Sequence, residues 1–479
     1  MAALLLGGAM APVFAADVRN LSVTVSSGTQ ANAYGGYTIE EGASALQNAL
    51  TLSGPAKVLK ASAGGWSRWG NAEWNTLTIR LDEDGLLGPS DIVSGGVAEL
   101  EGGGAAVHNT VYIESGTVEG TVEGGVAVGI NGVGDGTGDV LSNQVTMSGG
   151  TVYSVFGGET GEGNANDNVV TIKGSAAVTG KSNAVYGGYT IDGNASGNIV
   201  NIEDDADIHG EIMGGYTRAG SLISGNKVNV TGGNVNENTV YGVYTAYGDV
   251  LDNQAVIKGT GQAGSSDTNS VYAGFTNIAA GNILYIQDSA EIAGSAFAGY
   301  QGGFISSETV ERNQVFMSGG SVGGDLTGGG SNNGGETLNN YVEITGGTVS
   351  GNVYSGFTDS ADALENTLTV AGGRVEGSLF GGYSNTGTAN ENKLTFSAGT
   401  ARSDAYGGYA QEGADGNEAV LSGTSVLEGN AAGGSSARGE ASGNSLTIKE
   451  NSEVKGNAAG GDVYMGTISK NIITIQYNA

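Results

Sequence analysis

Few residues of this chain could do chemistry. Among 479 residues there are two histidines and no cysteine, so thiolate nucleophiles, thiolate metal sites and a disulfide framework are all excluded. His108 and His209 lie far apart in the sequence, and a lone imidazole with no second titratable partner at a fixed offset is weak support for acid–base catalysis. Next to Ile208, His209 reads as an outward-facing side chain. Residues 174–182, GSAAVTGKS, approach a phosphate loop, but the first glycine stands one residue too far from the Gly-Lys-Ser and no helical pattern follows. They read instead as a turn around Val178. Three acidic groups offer oxygen ligands of the kind calcium takes: Asp82-Glu83-Asp84, Asp204-Asp205, and Asp135 with Asp139. The last pair lies in a Gly-Asp stretch like one unit of a calcium-binding nonapeptide array, yet it occurs once, and such arrays work in tandem. These groups read as solvated loops, and no metal or cofactor is expected. Trp66, Trp69 and Trp74, all the tryptophan the chain has, fall close together near the N-terminus, where they predict either a plug over the first coils or a platform for sugar rings.

The elements that would position these groups come from one repeated unit. Asparagine opens a short alternating strand at Asn48, Asn75, Asn109 and Asn143, and again at Asn168, Asn198, Asn226, Asn253, Asn282, Asn313, Asn340, Asn366, Asn392, Asn417, Asn444 and Asn471. The mean spacing is about 28 residues, within the range of internal repeats. In Asn366-Thr367-Leu368-Thr369-Val370 the residues two and four after the asparagine are apolar and those between are polar, so the apolar pair and the asparagine share the inward face. A buried amide must be paired, and in a stacked coil its partners are its own turn and the equivalent amides about 4.8 Å above and below. A second strand follows, marked by one β-branched residue such as Val178, Ile208, Val349 or Val375. The third strand is aromatic, as in Val185-Tyr186-Gly187-Gly188-Tyr189 and Leu379-Phe380-Gly381-Gly382-Tyr383.

Three short strands per unit predict an all-β fold, a right-handed parallel β-helix of about 16 coils. The two aromatics of the third strand are three apart. A regular strand sends one inside and one outside; a bend at the glycine pair leaves both half-buried. The outer column, Tyr189, Tyr216, Tyr244, Phe275, Tyr300, Phe357, Tyr383 and Tyr409, is then either a stabilising stack or a stripe that binds sugar or protein.

Composition narrows the partners. Ninety glycines against three prolines, with Val, Ile, Tyr and Thr at regular stations, argue for strands joined by glycine turns. Forty-nine acidic residues against 18 scattered basic ones give a net charge of −31, which disfavours nucleic acid and anionic membrane surfaces. Residues 1–16, MAALLLGGAMAPVFAA, read as the apolar core and small-residue cleavage site of a secretory signal without its basic start. Residues 17–105 read as an irregular N-terminal cap with the first coils, and residues 106–479 as regular repeats left unfinished at the C-terminus. No later run is apolar enough for a membrane-spanning helix.

The export signal, the absence of cysteine and the tandem Asn-x-Val-x-Ile, Gly-Gly-x-Val and Val-Tyr-Gly-Gly-Tyr motifs resemble the passenger region of a bacterial autotransporter, a type V secreted surface protein. The resemblance implies a β-helix displayed at the outer membrane or released from it, and an adhesin whose partner is a host or cell-surface protein or glycan. It also implies a C-terminal translocator barrel; this chain ends at Tyr477-Asn478-Ala479, inside a repeat. The alternatives are a β-helix polysaccharide lyase or hydrolase, which would need converging carboxylates, and a passive spacer for another domain.

Overall fold

The computed structural model describes residues 17–88, 92–99, 103–129, 135–182, 184–220, 222–236, 238–264, 270–276, 278–302 and 308–476. The signal-like residues 1–16 and the last three residues lie outside them. The chain is all-β, with parallel strands stacked as a β-solenoid of about 16 turns spaced about 27 residues apart. It divides into two units, Met1–Asn238 with Val243–Gly248, and Thr239–Gly242 with Asp249–Ala479.

In the first unit one turn serves as the pattern. A two-residue strand, Ala165–Asn166, leads through Asp167 to the ladder residue Asn168, and then to the first strand Val169–Ile172. The second strand is Ala177–Val178 and the third is Val185–Thr190. The two-residue strand is an addition to the three that the repeat predicts; with its copies Ala106–Val107 and Val140–Leu141 it forms a narrow sheet of its own along one corner. Alternation does the rest. Val170 pairs in register with Val145 and Val200, and Ile172 with Met147 and Ile202, so each apolar side chain rests on the one before it, fully out of water. Burying one such side chain is worth about 1.5–3 kcal/mol. Strands from residues 17–105 enter the same ladders, since Leu50 pairs with Val23 and Leu77, and Leu77 with Val111.

The second unit repeats the plan with tighter turns. Ala363–Leu364 leads to Asn366; the first and second strands fuse into Thr367–Val375, and Leu379–Ser384 is the third. Leu368 stacks between Val342 and Leu394, and Val370 between Ile344 and Phe396.

The Gly-Gly pair of the third strand has a specific cause. A Cβ on the second glycine would fall into the ladder asparagine that follows it: 2.3 Å from Asn392 Cγ at Gly382, and 2.4 Å from Asn366 Cγ at Gly356. At these turns only glycine lets the third strand close over the amide column, although Val243, fully buried, holds the same station in one turn. Gly382→Ala is therefore expected to cost at least about 2–3 kcal/mol by displacing Asn392. Gly88→Ala, whose Cβ would meet nothing nearer than 3.7 Å, is the matched control and should be nearly neutral. Equal shifts of the urea midpoint for the two variants would refute this account.

Candidate functional site

Two inward features hold the frame on which any site is built. The first is the amide column. Asn366 Nδ2 donates to Thr337 O at 3.0 Å and to Asn392 Oδ1 at 3.1 Å, while its Oδ1 accepts from the backbone N and the Nδ2 of Asn340, both at 3.0 Å. All four hydrogen-bonding positions of the amide are used. The scheme repeats at Asn168 and Asn313, and it continues to Asn471, which is only half-buried. The residue before each asparagine of the column takes the left-handed backbone region, at φ 57° for Asp167 and 54° for Glu365. The second feature is a hydroxyl at the end of the third strand. Thr190 Oγ1 donates to Gly163 O at 2.8 Å and accepts from Gly193 N at 3.0 Å; Thr217 and Ser384 do the same in their turns. The sequence signal for it was a Thr or Ser directly after the second aromatic.

The aromatic face shows what the glycine pair does to parity. Tyr186 and Tyr189 point the same way, with ring centroids 5.5 Å apart, because the ladder runs from Tyr186↔Met213 straight to Gly188↔Gly215 and skips the glycine between. The regular-strand expectation of one inner and one outer column therefore gives way to the bent alternative, with both columns outward and mostly half-buried. Tyr189 and Tyr216 stack at 4.9 Å and 7°, Tyr216 and Tyr244 at 5.8 Å and 4°, and in the second unit Phe357, Tyr383 and Tyr409 stack at 5.6 and 5.3 Å. The ring faces are thus spent on one another, and edges and hydroxyls are what the column presents. Burial pushes the Tyr300 hydroxyl up to about 12 and raises those of Tyr189, Tyr216 and Tyr383 as well. Tyr300 tilts by 35° from Phe275 because the next turn carries Gly330 at the aromatic station, and the Tyr300 ring leans over it.

Comparison of the chain with protein-family models, with curated proteins and with solved structures returned no match. The functional reading therefore rests on geometry, and on places where the repeat is broken.

One break lies in the aromatic face of the first unit. Glu123 occupies the first aromatic station, in register with Ser94 and Phe156, and Glu159 the second, in register with Val126 and Tyr189. The two are diagonal neighbours in adjacent turns. Rings on the same diagonal, Phe156 with Tyr189 and Tyr186 with Tyr216, have centroids 5.6 and 5.9 Å apart. Glu123 is 2% exposed, and its Oε2 accepts no hydrogen bond from the described residues. Burial, and then the neighbouring Glu159 charge, hold its carboxyl well above the usual range, while burial raises Glu159 to about 8. Sequence reasoning missed this pair; the available signal was an acid standing where the repeat has Tyr or Phe.

The remaining candidates lie apart. Trp66 sits in the aromatic face, aligned with Tyr37 and Val97, and its Nε1 donates to Glu99 Oε1 at 2.9 Å. Trp69 is half-buried in the connection that follows, and Trp74, 56% exposed, stands on the left-handed corner. The tryptophans thus take three different stations of the turn. His209 Nε2 lies 3.0 Å from Asp207 Oδ2 on the surface. Asp139 accepts from the backbone and side chain of Asn164, Asp82 from the backbone of Asp84, and Asp204 from the backbone of Gly174. Among the described residues no three His, Asp or Glu side chains come together as a metal site, and no helix is long and apolar enough to cross a membrane.

Proposed function

We propose that this chain is the exported passenger of an autotransporter-type surface protein, an adhesive β-solenoid that presents its corners and loops to a host-cell or neighbouring-cell glycan or protein. The observation that carries the reading is the division of labour within a turn. Amides, β-branched residues, glycines and rings are spent on the next turn, as at Asn366, Leu368, Gly382 and Tyr383, while the variable residues lie at corners and connections. Such a scaffold holds many outward positions at fixed spacing, which suits recognition of repetitive surfaces. Protease added to intact producing cells is expected to remove the chain, and the purified chain is expected to bind target cells and to compete with the producing cells for them. Full protection from external protease would overturn the export reading, and absence of competition the adhesive one.

The acid pair favours a second reading, a carbohydrate-active enzyme. Glycosidases pair two carboxyls with one of them held protonated, and Glu123 and Glu159 are neighbouring carboxyls that burial raises above the ordinary range. Under this reading Glu159→Gln abolishes release of reducing ends from a polysaccharide panel. A wild-type chain that releases none removes it.

A further inference from the structure

The corner that precedes the amide column shows where the first unit departs from what its fold needs. At each turn the residue before the asparagine must take φ near +55 to +70°, and the chain fills the position mostly with glycine or short and flexible polar residues: Ser142, Asp167, Gly197, Gly225. Bulky side chains disfavour this backbone region. Two neighbouring turns carry Trp74 at φ 57°, the bulkiest side chain at this corner, and His108 at φ 55°, a residue type that this region tolerates. Trp74 is not taken into the interior in exchange, being 56% exposed. Its indole stacks on the His108 imidazole with centroids 4.1 Å apart and planes at 26°, closer than any ring pair of the aromatic face cited above. Beyond that one stack, an indole more than half exposed in a disfavoured backbone conformation is a cost to the fold, and such costs persist at functional positions.

The surroundings give the platform a chemistry. The corner strands place Leu46, Glu73, Val107 and Leu141 in register between Arg19 and Asn166, all four half-buried, with Glu73 and Val107 directly before Trp74 and His108 in the chain. Asn71 Nδ2 donates to Glu73 Oε1 at 2.7 Å, which fixes that carboxylate between the apolar Leu46 and Val107. An apolar floor, an exposed planar ring, a carboxylate that accepts hydroxyl protons and an imidazole that can donate or accept match one class of ligand. A sugar ring has an apolar C–H face for the indole and hydroxyls for the rim. The net charge of −31, with Glu73 at the centre, selects against sulfated, sialylated or uronic glycans.

We infer that the corner built from Trp74, His108 and Glu73 is a binding site for an uncharged saccharide. The inference deepens the adhesive reading above and rests on it. It is tested with the purified full chain on an array of neutral and anionic oligosaccharides, with Trp74→Gly and His108→Asn as variants. Both replacements suit the left-handed backbone, so each is expected to keep or raise the melting temperature. The wild-type chain should bind neutral glycans selectively, and Trp74→Gly should weaken that binding tenfold or more. Three results would each overturn the site: no neutral glycan bound, binding unchanged in Trp74→Gly, or a marked fall in the melting temperature of Trp74→Gly, which would make the indole structural. Cell adhesion that survives in Trp74→Gly also overturns it, and leaves the adhesive reading standing on other surfaces.

Discussion

Replacing Asn366 and Asn392 together with leucine is expected to lower the stability of the second unit by on the order of 5 kcal/mol, although both side chains are similar in size to those they replace. The loss comes from what is left behind. The backbone N–H of Asn340 and of residue 366 lose their acceptors, and the carbonyls of Thr337 and Ala363 lose their donors at 3.0 and 2.8 Å. All four groups stay in the interior, where an orphaned polar atom costs about 1–3 kcal/mol. Leucine also cannot lie flat beneath Gly356 and Gly382, which pass so close to the amides that a Cβ on either would fall 2.4 or 2.3 Å from the amide carbon. Hydrogen exchange should localise the damage: amides of the turns around residues 340–417 exchange early, while those of the first unit keep their protection. Asn366→Asp is the informative partner variant. It keeps the acceptor for Asn340 but loses the donor to Thr337 O and buries a charge, so it should also destabilise, and more at pH 8 than at pH 4. An unchanged urea midpoint in the double leucine variant would remove the amide column as a source of stability.

The second large effect concerns pH. Glu123 and Glu159 have folded-state values raised above the ordinary 4.5, Glu159 to about 8. Between pH 4.5 and 8 the folded chain therefore binds more protons at this pair than the unfolded chain does. Its contribution to stability is fully present below about 4.5 and falls as the pH rises through about 8, where Glu159 ionises. The first unit is thus expected to melt roughly 5 °C lower at pH 9 than at pH 5. The double variant Glu123→Gln/Glu159→Gln should flatten that slope and melt higher than the wild type at pH 9, because the amides carry no charge into the buried face. Every other carboxylate remains in the variant, so the difference between the two curves isolates the pair. Parallel curves for wild type and variant would show that the two carboxyls are solvated and independent.

Much of the fold is visible in the sequence because the interior obeys a strict period. Asparagine, a β-branched pair and Gly-Gly recur because each must meet its own copy one turn away, and a slip would orphan an amide or bury a clash. The outer stations carry no such demand. Trp74, His108, Ser142 and Asp167 share one backbone conformation but no common chemistry, so their kinship appears only once the turns are superposed. The acid pair was hidden for the opposite reason. Glu123-Gly124-Gly125-Val126 and Phe156-Gly157-Gly158-Glu159 keep the glycine pair of the third strand with an acid at one aromatic station, but only register shows that the two acids are neighbours in adjacent turns. Parity left two outcomes open at the same place, and the bent one holds, since the first glycine is skipped by the ladder and the alternation restarts after it.

The amide column also has a direction. Each asparagine hands its N–H and one side-chain hydrogen to the carbonyl oxygen of the asparagine in the turn that follows, as Asn340 does to Asn366 and Asn366 to Asn392. A completed turn therefore exposes two unspent donors on one side only, and the arrival of the next turn consumes them and exposes two more. The structure grows like a zipper whose teeth all face forward: ordered turns recruit the next one with the same stake at every step, and within each unit the time to fold should scale with the number of turns rather than with a single collective collapse.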